Sequence, residues 1–247
     1  MDLVDIPVPG GTAQAHVSRP AGGSGPGVLF FMDAIGVRPQ IADMCDRIAS
    51  WGYVVVAPNV FHREGDVDAM RPHTDLTEDG AREAFFADAM PRVGRLTSDL
   101  ALPDIAAYTR FLRDLDGVTD GPMGTTGYCM GARLALRAAG AHSEEYAACG
   151  GFHGGGLVTD EPDSPHLAAE HVRAELVFGH ADHDRSMPPA AVATLGATLA
   201  SYDLTVRNEV YPDAPHGYTM ADTAMYQEAG AERHYAELEA LFARTLS

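Results

Sequence analysis

The segment Gly127-Tyr128-Cys129-Met130-Gly131-Ala132 places a thiol between two glycines, G-x-C-x-G. Before it, Pro122 to Thr126 reads as a short buried strand; after it, Arg133 to Ala139 reads as a helix. A strand turning sharply into a helix holds its corner residue in a strained conformation, pointing outward. Glycine is required on both sides, because a Cβ there would collide with neighbouring backbone. At a helix N-terminus the free N–H groups and the dipole favour a thiolate. The stretch predicts a nucleophile at Cys129, with a buried cysteine in a glycine-rich turn as the plainer alternative.

A thiol nucleophile needs a base within hydrogen-bond reach, and the base needs an orienting acid. The strand Leu176-Val177-Phe178 is followed by Gly179-His180-Ala181-Asp182-His183-Asp184-Arg185-Ser186-Met187-Pro188. A later strand ends at Tyr211 and is followed by Pro212-Asp213-Ala214-Pro215-His216-Gly217-Tyr218. The first loop offers Asp182 and Asp184 as acids, and the second offers His216. Nucleophile, acid and histidine, each on a loop after a strand, follow the chain order of α/β-hydrolases.

The elements that must position them alternate along the chain. Leu3 to Pro7 and Ala13 to Ser18, separated by Pro9-Gly10-Gly11, read as an antiparallel hairpin. Val28 to Met32 and Tyr53 to Pro58 are continuous apolar runs, as strands covered on both faces should be. Ala147 to His153, Ala174 to Gly179 and Thr205 to Tyr211 are further strands. Helical spacing marks Pro39 to Trp51, Ser98 to Leu115, Pro188 to Leu199 and Ala221 to Leu246. Between Asn59 and Leu96 the pattern loosens, which predicts a long excursion near the mouth of the site. The expected architecture is one domain over residues 1–247. It is an α/β fold with a mainly parallel sheet, helices on both faces and an N-terminal antiparallel hairpin.

Composition narrows the function. Asp+Glu number 35 against 17 cations, all of them arginine, for a net charge of -18. That argues against nucleic acid or an anionic membrane surface as a partner, since both rely on basic surface. The three cysteines, at 45, 129 and 149, form no disulfide framework and no C-x-x-C pair. No signal peptide and no apolar run of membrane-spanning length is evident, so a cytoplasmic location is expected.

Taken together, the chain resembles the dienelactone hydrolase family of α/β-hydrolases. The resemblance runs from Phe31-Met32-Asp33-Ala34-Ile35-Gly36-Val37 to the final helix and rests on G-Y-C-M-G, an acid four residues before Pro188, and A-P-H-G-Y. It implies Cys129 as nucleophile, His216 as base and Asp184, rather than Asp182, as triad acid. It also places an acid near the thiol at Asp33, implicated in thiol activation, and oxyanion donors at the N–H groups of Met130 and Ala34. Well-known members hold a substrate carboxylate with arginines, one of them four residues after the catalytic histidine. That position is Met220 here, and Arg63, Arg71 and Arg82 are the candidates for a second. A less charged ester, lactone or thioester is therefore as good a substrate as a dienelactone.

Two tempting motifs carry less. His180-Ala181-Asp182-His183-Asp184 packs four potential metal ligands together, but alternate residues of an extended loop point apart, so no metal is expected. Phe152-His153-Gly154-Gly155-Gly156 resembles the H-G-G-G oxyanion loop of lipases, yet it follows the elbow instead of preceding it. His153 is expected to line the pocket, with Tyr128 and Tyr218 as further substrate contacts; Cys45 and Cys149 are packing residues. The expectation is a cofactor-free hydrolase of small-molecule esters or lactones, acting through an acyl-cysteine as a monomer or small homo-oligomer. Thioester hydrolysis, acyl transfer and a catalytically silent binding protein on the same fold are the alternatives.

Overall fold

Alternation in the first eighteen residues becomes a hairpin. β1 (Leu3–Val8) pairs antiparallel with β2 (Gly11–Ser18), Leu3 opposite His16 and Val8 opposite Gly11, with Gly10 at φ 84° in the turn. The structure is a computed structural model that describes residues 1–246. β3 (Gly27–Phe31), α1 (Pro39–Ser50), β4 (Val54–Pro58), α2 (Val67–Met70), α3 (Ala81–Arg95) and α4 (Ser98–Asp114) precede the elbow. β5 (Met123–Tyr128), α5 (Met130–Ala141), β6 (Tyr146–Phe152), β7 (Glu175–His180), α6 (Pro189–Ser201), β8 (Val206–Val210) and α7 (Glu228–Thr245) follow.

The sheet order is β1-β2-β4-β3-β5-β6-β7-β8. β2 runs antiparallel to β4, and every pairing from β4 to β8 is parallel. Parallel strands share one carboxyl edge, so the loops after β3, β5, β6, β7 and β8 all open on the same side, where α/β sheets bind their ligands. β3, β4 and β5 are buried along their whole length. Helices must cover both faces, and the small residues of the strands let them come close. A Cβ on Gly124 would press into Phe242 of α7, and one on Gly150 into Leu238. Each such fully buried side chain contributes about 1.5–3 kcal/mol through removal from water. Among the described residues no helix is long and apolar enough to cross a membrane.

Two stretches differ from expectation. The excursion is not loose throughout: residues 81–95 form α3, a helix of 15 residues that buries only Ala89 and Val93 and contains Pro91. So narrow an apolar stripe, broken by a proline, leaves little periodicity in the sequence. The last helix starts at Glu228, not Ala221, because Thr223 N–H bonds back to Met220 O and Tyr226 N–H to Thr223 O in successive turns. The Gln227 side chain then caps the helix by accepting from Gly230 N–H at 2.9 Å.

Candidate active site

Cys129 occupies the turn between β5 and α5 with φ 54° and ψ −119°, a conformation that side chains rarely adopt. Its N–H donates to Phe152 O at 3.1 Å and its carbonyl accepts from Gly155 N–H at 3.2 Å, so the strain is held from both sides. The glycine requirement is met literally: a Cβ on Gly127 would overlap the carbonyl of Gly131, and one on Gly131 the carbonyls of Phe31 and Met32. Cys129 is half-buried, whereas Cys45 and Cys149 are fully buried, and burial pushes both of their thiols up. Among the described residues the N–H groups of Met130 and Ala34 donate to no protein acceptor. Met130 opens α5, where an N–H has no intrahelical partner.

The loops after β7 and β8 bring His216 to Asp184, with Nδ1 2.6 Å from Oδ2. Ser186 holds the other carboxylate oxygen, donating from Oγ at 2.7 Å and from N–H at 2.8 Å. Burial of Asp184 would raise its carboxyl, but the His216 and Ser186 hydrogen bonds keep it below the usual range. Asp182 has a different task. Its carboxylate accepts from His183 N–H and Asp213 N–H, and its own N–H donates to Ala214 O at 2.7 Å, bracing the histidine loop. For His216, burial disfavours the cation. The charge of Cys129, then the hydrogen bonds to Asp184 and Cys129, overcome this and push the imidazole up to about 10. His180 is buried against Asn208 and His183 is exposed, so the histidines flanking Asp182 do face apart.

Asp33 lines the same cleft as Cys129 but is not free. Arg38, itself fully buried, donates Nη1 to Oδ1 at 2.7 Å and Nη2 to Oδ2 at 3.2 Å, while Ile35 N–H also donates to Oδ1. The carboxylate expected to act on the thiol is thus spent on an ion pair and on shaping the loop that carries Ala34. Met220, at the position of the family's arginine, accepts from Arg38 Nη2 at 3.4 Å through its sulfur. Of the three candidate arginines, Arg63 pairs with Asp104 and Arg71 with Asp68; Arg82 lines the cleft, its guanidinium 4.7 Å from the centroid of Phe86.

His153 also lines the cleft, with φ 37° and Nε2 2.7 Å from Thr219 Oγ1. Burial, followed by repulsion from His216, holds it well below the ordinary histidine value. Tyr128 and Tyr218, expected as substrate contacts, are instead core. Tyr128, fully buried, stacks between Phe30 and Phe152, and Tyr218 donates its hydroxyl to Gly179 O at 3.0 Å. Sequence reading missed Ser186 and Arg38. The first had a local signal, an Asp-x-Ser turn; for the second, Asp33 lies only five residues away but Asp222 lies 184 away.

The sequence model of the dienelactone hydrolase family matches residues 13–246. A Salmonella typhi protein named "Putative carboxymethylenebutenolidase" is 27% identical over 98% of this chain and 86% of its own. The fold is shared with the crystal structure named "Putative Dienelactone Hydrolase" from Klebsiella pneumoniae, at TM-score 0.80 and 24% identity over 98% of each chain. It is also shared with a dienelactone hydrolase-like promiscuous phosphotriesterase from metagenomic libraries, at TM-score 0.74 and 18% identity, over 100% of this chain and 98% of that one.

Proposed function

The chain belongs to the dienelactone hydrolase family, and from that premise we propose that it hydrolyses carboxylic esters or lactones through an acyl-cysteine at Cys129. The observation that carries this reading is His216, joined to Asp184 at 2.6 Å on one side and pushed up to about 10 by Cys129 on the other. A histidine so placed stores the thiol proton as an imidazolium beside a thiolate.

The thiolate sulfur adds to the carbonyl carbon, forming a C–S bond and an oxyanion that accepts from Met130 and Ala34 N–H. Removing one such donor costs about 3–4 kcal/mol of barrier in comparable sites. The C–O bond then breaks, and the departing alkoxide takes the proton from His216. Neutral His216 next removes a proton from water, whose oxygen attacks the thioester carbon; the thiolate leaves and the imidazolium is restored. Asp184 fixes the ring and stabilises its charge. Asp33 acts indirectly, shaping the Ala34 loop.

The lining of Ile35, Phe86, Met220 and Met225 favours an apolar acyl group, with Arg82 as the cation at its edge. p-Nitrophenyl acetate tests the reading: wild type should turn over and form an acetyl-cysteine detectable by mass, and Cys129→Ala should do neither. Identical slow turnover by both proteins would sink it.

A further inference from the structure

The cleft over Cys129 is too small for the reaction it would serve. Its volume is about 20 Å³, room for roughly one water, whereas ligand sites run to about 300–1,000 Å³. Most of its wall is fixed. Asp33, Ile35, Cys129 and His153 follow buried strands, and Met220 is itself buried and tied to Arg38.

Arg82 and Phe86 come from a weaker support. α3 buries only Ala89 and Val93, and its polar ties are gathered near its C-terminus. There Arg92 donates to Met70 O at 3.3 Å, Arg95 pairs with Glu64, and Arg133 reaches Val93 O at 3.4 Å. Among the described residues, no side chain of 81–90 makes a hydrogen bond or ion pair. The helix begins after Gly80, at φ 77° and with no side-chain cap. Pro91 separates the two parts; it has no N–H to offer the carbonyl one turn back. Phe86 is half-buried at the edge of the core, under the Arg82 guanidinium and edge-on to Phe85, with ring centroids 6.0 Å apart.

We propose that residues 81–90 are a lid that swings about Pro91, and that Phe86 is the plug which closes the acyl pocket and sets the size of group admitted. Opening exposes little beyond Ala89 and the two half-buried rings of Phe85 and Phe86, which places this segment at the low end of local stability. The catalytic consequence rests on the acyl-cysteine reading; the closure does not, because access to the thiol can be measured without turnover.

The test is the rate at which Cys129 reacts with two thiol reagents, iodoacetamide (small) and 5,5′-dithiobis(2-nitrobenzoate) (bulky). Cys45 and Cys149 are fully buried, so a native chain titrates one thiol and an unfolded variant three. Phe86→Ala should raise the rate with the bulky reagent about tenfold and with iodoacetamide less than about threefold, as the competent fraction grows. Phe86→Trp should slow the bulky reagent. Equal effects on both reagents, or none, overturn the plug. Hydrogen exchange supplies the second arm: amides of 84–90 should exchange about a hundredfold faster than those of α4, and equal protection overturns the lid. Should the lid results hold while Cys129→Ala leaves ester turnover intact, the hydrolase reading fails and the lid stands.

Discussion

Arg38 holds both carboxylate oxygens of Asp33, at 2.7 and 3.2 Å, and with its Nε reaches Asp222 at 2.5 Å. One buried guanidinium therefore fastens the loop that carries Ala34 to the loop that follows His216. The two halves of the arrangement are unequal: the Asp33 side chain is 5% exposed and that of Asp222 34%. Water screens the second pair far more than the first.

Arg38→Gln should accordingly be strongly destabilising, because it strands a buried carboxylate; the expected loss is about 3–5 kcal/mol. Asp222→Ala breaks only the screened pair and should cost less than about 1 kcal/mol. Urea unfolding of the two variants decides this. Equal midpoints would mean that Asp33 keeps its solvation without Arg38.

Acid should weaken the fold from near neutrality, before carboxylates titrate. His234, buried among Tyr128, Phe152 and Tyr235, is lowered to about 3 by burial, and His153 is lowered well below its usual value by burial and by His216. The unfolded chain binds protons at these rings near pH 6.5 while the native state refuses them, so their contribution is whole above 6.5 and lost as pH falls. Each such histidine adds up to about 1.4 kcal/mol per pH unit to the slope. His234→Phe should flatten the dependence between pH 6.5 and 4.5 by that amount in urea titrations. An unchanged slope would show that His234 protonates in the native state.

Substitution at the elbow offers a purely steric forecast. A methyl on Gly131 meets the carbonyl oxygens of Phe31, the last residue of β3, and of Met32 just after it, both buried backbone with little room to move. Gly131→Ala should destabilise by about 1–3 kcal/mol, lowering Tm by about 2–12 °C. It should also reduce ester turnover, because the Met130 N–H moves. Gly94→Ala, inside α3 with nothing within 4 Å of the added carbon, is the control and should melt at or slightly above wild type, since alanine is the better helix former.

What the sequence made legible follows from locality. The elbow was readable because its pattern is contiguous in sequence: Gly127 answers to the Gly131 carbonyl within the turn itself, although Gly131 answers to Phe31 and Met32 at the end of β3. Asp184 was readable because its loop follows an apolar, buried strand, β7; His216 follows the polar, largely exposed β8 and was readable from its own A-P-H-G-Y segment. Tyr128 was misread because it adjoins Cys129 in sequence, although it is the last residue of β5 and fully buried while Cys129 sits on the turn that follows. α3 was illegible because a helix that buries only Ala89 and Val93 writes almost no apolar period. The Arg38 bridge was illegible for a different reason: Asp33 is close in sequence, but Asp222 lies in a loop that only the folded sheet brings near.

His216 provides the most discriminating forecast. Cys129 charge and the Asp184 hydrogen bond lift it to about 10 against burial, which alone would lower it. Its protonation therefore stabilises the native state fully below pH 6.5, and that contribution drains away as pH rises toward 10. In Cys129→Ala the largest raising influence is gone, so the imidazole should titrate well below its wild-type value while Asp184 still holds Nδ1. The proton signal on Cε1 of His216, followed by NMR from pH 5 to 11, measures both. Asp184→Asn should leave the thiol in place yet lower kcat about 10⁴-fold, through loss of ring orientation. Ser186→Ala removes the hydroxyl from the far oxygen of Asp184 and a longer 3.3 Å contact to His216 Nδ1, but leaves the Asp184–His216 bond, and should lower kcat by much less. If His216 titrates alike with and without the thiol, no ion pair forms at Cys129, and the nucleophile must be activated some other way.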